Sequence, residues 1–354
     1  MSMTVTILGA GFMGAAATYP LSARGHRVRL WGTWLDDALI SAVRDGLPHP
    51  RLGTELPKQA AFFDPGDLDA ALHGADACFL AVTSEGFLPV LEAFLQQAPS
   101  PIPVFSFTKG LVVVDGAARR LSDVGREMMR ARFPGVTPSW SAVGGPVKAA
   151  ELAREVPTAS VYGCAEGEAA GRGDCGMIKS FETEYYRLSV TDDVAGVELC
   201  AAYKNAYAVA MGIADGLYEQ SRGNMYHNLK SLLFTQAVRE IASIVTVAGG
   251  QQETVFDLAG VGDLYVTAAS GRNRELGYRV GQGDSAAAAY QEMFAAGRVA
   301  EGYHAVSLGA KFARETGLNL EQDAPLLLEL EKLVAGSVDA QTAISGRRFG
   351  ASKG

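Results

Sequence analysis

One ammonium group interrupts the small, apolar run CAAYKNAYAVAMG, Cys200 to Gly212. On a helix, Lys204 shares its face with Val197, Cys200, Ala201, Tyr207, Ala208 and Met211, all apolar or aromatic. Asp215 falls near that face, but eleven residues along a helix are about 16 Å. No carboxylate of this helix can therefore pair with Lys204. A lysine in such company is either a snorkelling side chain at a helix seam or a site residue, where burial lowers an ammonium pKa toward the range useful for proton transfer. On the helix alone both readings stand. Asn205 lies beside it.

A partner stands in AGVGDLYVTAASGRNRELG, Ala259 to Gly277. Asp263 and Thr267 are four apart and share a helix face. After a break at Ser270-Gly271, Arg272, Asn273 and Arg274 open another helix. Backbone N–H groups, an amide and a guanidinium together form a cradle for an oxyanion; by itself GRNR would read as a solvated basic turn. Lys109, in FSFTKG, sits at the carboxyl end of an expected strand, where open α/β sheets bind ligands. A similar strand-to-helix turn, GGPVKAAEL, carries Gly145 and Lys148. The five histidines are scattered, and no metal site is expected.

GAGFMG, Gly9 to Gly14, matches the spacing of a dinucleotide-binding turn. The pattern follows a strand, opens a helix and precedes a second strand. Gly9 permits the tight turn, Gly11 the approach of a pyrophosphate, and Gly14 close packing of helix on strand. The acidic ribose ligand expected about 20 residues on is missing at Leu30-Trp31-Gly32-Thr33, and Asp36 and Asp37 come slightly late. No arginine stands there for a 2′-phosphate either, so both NAD and NADP remain open.

These residues need elements to hold them. TVTILGA, HRVRLWG, DACFLAVT and PVFSFTKG read as strands, with helical patterns such as DLDAALHGA and GAARRLSDVGREMMRARF between them; SWSAVGG, TASVYG and YYRLSV are further strands. That alternation predicts an α/β Rossmann-type domain with a parallel sheet over residues 1–191. GCAEGEAAGRGDCG reads as a loop before a helix. From residue 192 the strand signal stops, and helices are expected at 193–218, 224–248, 273–281, 298–316 and 322–334. Residues 192–345 thus form an all-α domain, and 346–354 a disordered tail.

The 354 residues suit two domains with ample core. A net charge of −8 gives no support for nucleic-acid or membrane-surface binding, so an anionic substrate needs a local cluster of cations set against it. The N-terminus has no signal-peptide pattern. The longest apolar run, Val194 to Gly216, carries Glu198, Lys204 and Asp215, and is expected to be a core helix rather than a membrane span. Cys78, Cys164, Cys175 and Cys200 form no CxxC pair; free thiols in a reducing cytosol are expected, with a Cys164–Cys175 bridge as the alternative.

Taken in order, GAGFMG, TKGL, GGP, GVELCAAYKNAYAVAMGIADGL, AGVGDL, GRNRELG and AEGY make the chain resemble the soluble NAD(P)-dependent glycerol-3-phosphate dehydrogenase family over nearly its whole length. The resemblance implies a Rossmann-type domain, a helical domain, usually a homodimer, and NAD or NADP as cofactor. It implies that Lys204 is the acid/base, that Asp263 is the carboxylate near it, and that Asn205 and Thr267 are its polar neighbours. It makes Lys109 a contact of both substrate and cofactor, Arg272 and Asn273 the substrate-phosphate site, and Gly145 a substrate contact. Phe12, Met13, Ala149, Val299 and Glu301, with Arg272, join the glycine loop as cofactor contacts. The chain departs from the family at Gly32-Thr33, where a basic residue is usual, at Val147-Lys148, where a hydroxyl and an aromatic residue are usual, and in a shorter GRNR loop.

That family's reaction is hydride transfer between the nicotinamide and dihydroxyacetone phosphate, with a small phosphorylated or phosphonate ketone as the variant. The site is expected between the domains. A β-hydroxyacid dehydrogenase would place an asparagine four residues after the lysine, where Ala208 stands. A non-catalytic dinucleotide sensor would have no need of Lys204 and Asp263.

Overall fold

The computed structural model describes residues 2–164, 173–220 and 227–345, with the side chains of 173–175 and 218–220 excepted. Of the loop expected over 163–176, residues 165–172 lie outside them, while Gly163 and Cys164 end a strand and Gly173–Gly176 open the helix Gly173–Phe181, which corrects the expectation at both ends; the tail expected at 346–354 also lies outside the described residues. The chain forms two compact units, Met1–Lys109 with Leu121–Val194, and Gly110–Arg120 with Ala195–Gly354.

The strands, in chain order, are β1 (Thr4–Leu8), β2 (Arg27–Trp31), β3 (Ala61–Phe63), β4 (Ala77–Leu80), β5 (Val104–Ser106), β6 (Leu111–Val114), β7 (Ala117–Arg120), β8 (Trp140–Gly144), β9 (Thr158–Cys164) and β10 (Tyr186–Thr191). Among the described residues, eight of them build one sheet in the first unit, in the order β10-β9-β8-β5-β4-β1-β2-β3. Every neighbouring pair is parallel except β8 with β9. β1 and β4 are buried along their whole length, as continuous apolar runs covered on both faces must be. The register pairs Leu8 with Trp31 and with Leu80, and Leu80 with Ser106. The central strands therefore end in step, and the turns that follow them open on one edge. Chain order reverses about β1, which places the glycine turn at the switch point where such sheets bind ligands.

Among its described residues the second unit is helical apart from the β6–β7 hairpin. The sequence reads residues 116–133 as one helical run; the structure corrects this to β7 followed by a helix over Leu121–Arg132. The signal was present in VVVDGAARR: Asp115 and Gly116 both take positive φ, 52° and 78°, and close a two-residue hairpin. Leu111 and Ala118 join the helical unit's core, and Ala118 N–H donates to Glu315 Oε2 at 2.8 Å. The helix over Ala286–Ala295 was not expected; Ser285 caps it, accepting from Ala288 N–H.

The helix Val194–Gln220 is buried from Gly196 to Ala214, which explains its nearly uniform apolar composition. Among the described residues no helix is long and apolar enough to cross a membrane. Its neighbour Arg272–Gly281 packs on it backbone to backbone. A Cβ on Gly212 would collide with the carbonyl oxygen of Arg274, and one on Gly216 with that of Tyr278. In return, a Cβ on Gly277 would collide with the carbonyl of Val209, and one on Gly281 with that of Ile213. Gly277→Val should force these rigid backbones apart and destabilise the unit by about 1–3 kcal/mol or more. A denaturant midpoint equal to wild type would show that the two helices are not locked.

Cys78 and Cys200 are buried thiols outside any disulfide, as expected. Cys164 is disulfide-bonded, which corrects the expectation of a free thiol. Spacing in the sequence left that bond open, because only the separation of the Cα atoms in space permits or forbids it.

Candidate active site

Lys204 and Asp263 lie 59 residues apart and meet as a buried ion pair, Nζ donating to Oδ1. Lys204 is 6% exposed and Asp263 1%. A wide π-type turn over Leu258–Gly262 precedes the helix Asp263–Ala269 and sets its phase so that its first residue points inward. Thr267 is half-buried, and its hydroxyl donates to the Asp263 carbonyl at 2.7 Å, bracing the same helical turn. A desolvated ion pair needs such support, because each charge alone would carry a large desolvation cost.

Asn205 connects this pair to the rest of the site. Its Nδ2 donates to Glu301 Oε2 at 3.1 Å, and its Oδ1 accepts from Asn273 Nδ2 at 2.8 Å. Asn273 Oδ1 accepts from Gly302 N–H at 2.8 Å, next to Glu301. Gly302 has no room for a side chain, since a Cβ would lie 2.5 Å from the Asn205 carbonyl oxygen. Three segments distant in sequence are thus closed into one ring by two side-chain amides, the Gly302 N–H and the Glu301 carboxylate. Val299 is half-buried, two residues before Glu301.

Arg272 begins its helix after Gly271, whose φ of 119° only glycine adopts easily. It lines an open cavity of about 520 Å³ with Arg274, Arg298, Glu275 and Tyr278. Arg274 is tied to Asp215, Nε to Oδ2 at 2.7 Å, and Lys230 reaches the other oxygen of Asp215 at 2.8 Å. Arg298 pairs with Glu275. Arg272 is exposed and makes no ion pair among the described residues. Asp215, too far along the helix for Lys204, instead anchors the arginine arm. The cavity supplies the local cations that the net charge of −8 requires for an anionic ligand.

In the first unit the glycine turn has the form that a dinucleotide needs. Gly9 has φ 105°, and a Cβ there would lie 2.7 Å from the Ala81 carbonyl oxygen; one on Gly14 would collide with the carbonyl of Gly9. Phe12, 43% exposed, and Met13 open the helix Phe12–Ala23. Lys109 follows β5, and Gly145, with φ 112°, follows β8; both strands run parallel to β1's neighbours, so both residues lie on the edge that carries the glycine turn. Ala149 opens a short helix over Ala149–Leu152 that packs against Phe12–Ala23. The open loop and helix N-terminus fit a pyrophosphate.

Two groups have roles that the sequence reading did not give them. Asp36 is buried, and its Oδ2 accepts from Ala10 N–H at 3.2 Å, Thr33 N–H at 3.0 Å and Thr33 Oγ1 at 2.8 Å. It braces the glycine turn instead of facing a ribose. Glu240, 1% exposed, accepts from Tyr207, Gln236 and the N–H groups of Leu326 and Leu327. A lone acid in TQAVREIASIV was its only signal.

A glycine-turn Rossmann-type unit joined to a helical unit with a buried Lys–Asp pair defines a nicotinamide-dependent oxidoreductase. Residues 4–170 match the family model for the NAD-dependent glycerol-3-phosphate dehydrogenase N-terminus, and residues 193–345 the model for its C-terminus. The chain belongs to that family. It is 34% identical over 324 residues to an NADP(+)-dependent glycerol-3-phosphate dehydrogenase of Archaeoglobus fulgidus, covering 89% of this chain and 92% of that one. It is 32% identical over 318 residues to a glycerol-3-phosphate dehydrogenase [NAD(P)+] of Thioalkalivibrio sulfidiphilus, covering 89% of each. The crystal structure of a glycerol-3-phosphate dehydrogenase from Coxiella burnetii superposes with a TM-score of 0.81 at 27% identity, over 97% of this chain and 98% of that one.

Proposed function

We propose that the protein interconverts dihydroxyacetone phosphate and glycerol 3-phosphate with NAD(P)H as reductant, and that Lys204 is its acid/base. The observation that carries this reading is the buried Lys204–Asp263 pair, in a chain whose other unit holds a dinucleotide turn. The nicotinamide, when bound, supplies or accepts the hydride at C2 of the substrate. Reduction leaves negative charge on the carbonyl oxygen. The Lys204 ammonium stabilises that charge and gives up its proton; in the reverse direction the neutral amine takes the hydroxyl proton. Asp263 orients the ammonium and balances its charge. Asn205 and Thr267 hold the helical turns that carry the pair. Arg272, Asn273 and their helix N-terminus take the phosphate, so that remote binding energy positions the reacting carbon. Lys109 adds a second cation, and Glu301 and Val299 border the cofactor.

Oxidation of NADH or NADPH, followed by absorbance with dihydroxyacetone phosphate added, tests the reading; a panel of three-carbon phosphates and phosphonates fixes the substrate. No oxidation with any member overturns it. Arg272→Ala should raise the Michaelis constant for the phosphorylated substrate by about tenfold or more, the worth of a charge-assisted hydrogen bond. A non-phosphorylated ketone that suffers equally would remove Arg272 from the phosphate site. We further assign cofactor binding to residues 1–191 and substrate handling to 192–345, in a cytoplasmic homodimer.

A further inference from the structure

We propose that Arg51 is a ligand of the cofactor's pyrophosphate. The inference rests on the nicotinamide-dinucleotide reading above and concerns a residue outside the glycine motif. Gly11 is the position of that motif whose missing side chain lets a pyrophosphate approach the backbone. A Cβ built on Gly11 would meet one group in its surroundings, the Nη1 of Arg51, 3.4 Å away. The guanidinium therefore stands over the face of the loop that the phosphates must use. It is exposed and makes no hydrogen bond or ion pair with another side chain among the described residues.

Its backbone is held by the group that holds the loop. His49 is fully buried, and its Nδ1 accepts from the N–H groups of Arg51 at 3.3 Å and Leu52 at 3.2 Å. That leaves the ring proton on Nε2, which donates to the Ala10 carbonyl at 2.9 Å, inside the glycine turn. Burial holds the imidazole below its ordinary pKa, in keeping with one donor and one acceptor nitrogen. The N–H of Ala10 goes to Asp36, whose carboxylate is turned inward on Thr33. The nearby acid is thus withdrawn from the ligand side, while an arginine with five donors faces it. A guanidinium beside helix N–H groups matches the charge and shape of a pyrophosphate.

The pyrophosphate is common to NAD and NADP, so the two must suffer alike. Binding is measured by calorimetry on the full chain with NADH, NADPH and ADP-ribose, for wild type, Arg51→Ala and Arg51→Lys, at low and high salt. Arg51→Ala should raise all three dissociation constants by the same factor, about tenfold to a hundredfold, and flatten their salt dependence. Arg51→Lys, a point charge without the fork, should fall between. Unchanged constants in Arg51→Ala overturn the proposal. So does a loss confined to NADPH, which would make Arg51 a reader of the 2′-phosphate. Wild-type protein that binds none of the three sinks the dinucleotide reading itself, an outcome distinct from either.

Discussion

Lys204→Ala should lower turnover by about 10²–10⁴-fold, the range of a lost general acid, while the dissociation constants for NADH and NADPH stay close to wild type. The separation follows from the placement of the two jobs. Under the proposed function dinucleotide binding belongs to the glycine turn, and Lys204 lies on a helix of the other unit, paired with Asp263. Removing the ammonium also strands a buried carboxylate, which costs about 3–5 kcal/mol. Turnover must therefore be referred to folded protein. Lys204→Arg separates charge from proton transfer: a guanidinium keeps the pairing with Asp263 but does not give up its proton near neutrality, so that variant should stay as inactive as the alanine. Near-normal turnover in either variant would remove Lys204 from the proton-transfer step.

Glu240→Ala should destabilise the helical unit by about 3–5 kcal/mol in a denaturant titration, as much as the loss of Lys204. Glu240 stands in for a capping residue. The helix Pro325–Val334 has Ala324 at its start, which caps nothing, and the free N–H groups of Leu326 and Leu327 reach across to Glu240 at 2.7 and 3.0 Å. The Tyr207 hydroxyl and the Gln236 amide add two further donors at 2.8 Å. Alanine would leave four donors facing a cavity. A loss below about 1 kcal/mol would mean that water replaces the carboxylate without cost.

Burial also pushes the Glu240 carboxyl up to about 7, although its four hydrogen bonds work the other way. The folded state therefore holds this proton more tightly than the unfolded chain does. Its stabilising effect is complete below the unfolded value near 4.5 and is lost as pH rises through about 7. Glu240→Gln cannot titrate, so the wild-type melting temperature should fall relative to that variant between pH 5 and 8.

Much of this is legible in the chain. GAGFMG after a buried strand implies the glycine turn through steric need alone, because any side chain at Gly9 or Gly14 meets backbone. The apolar surroundings of Lys204 imply a partner brought from elsewhere. The Asp-Gly turn at 115–116 was equally legible and was overruled by the helical look of ARRLSDVGREMMRAR. Local propensity is a weak guide where a short hairpin is stabilised by packing on distant helices.

Other features have no local signal. Asp36 and Asp215 look like interchangeable surface acids; the first braces the glycine turn and the second anchors the arginine arm. Glycines at 212, 216, 277 and 281 are common residues until two backbones are seen in contact. Residue type and short-range spacing carry what each segment can do, since they depend on sterics and periodicity within a few turns of chain. Which carboxylate meets Lys204, which acid turns inward, and that Arg51 stands over Gly11 depend on contacts between segments tens of residues apart. Those contacts exist only once the helices and the sheet have packed.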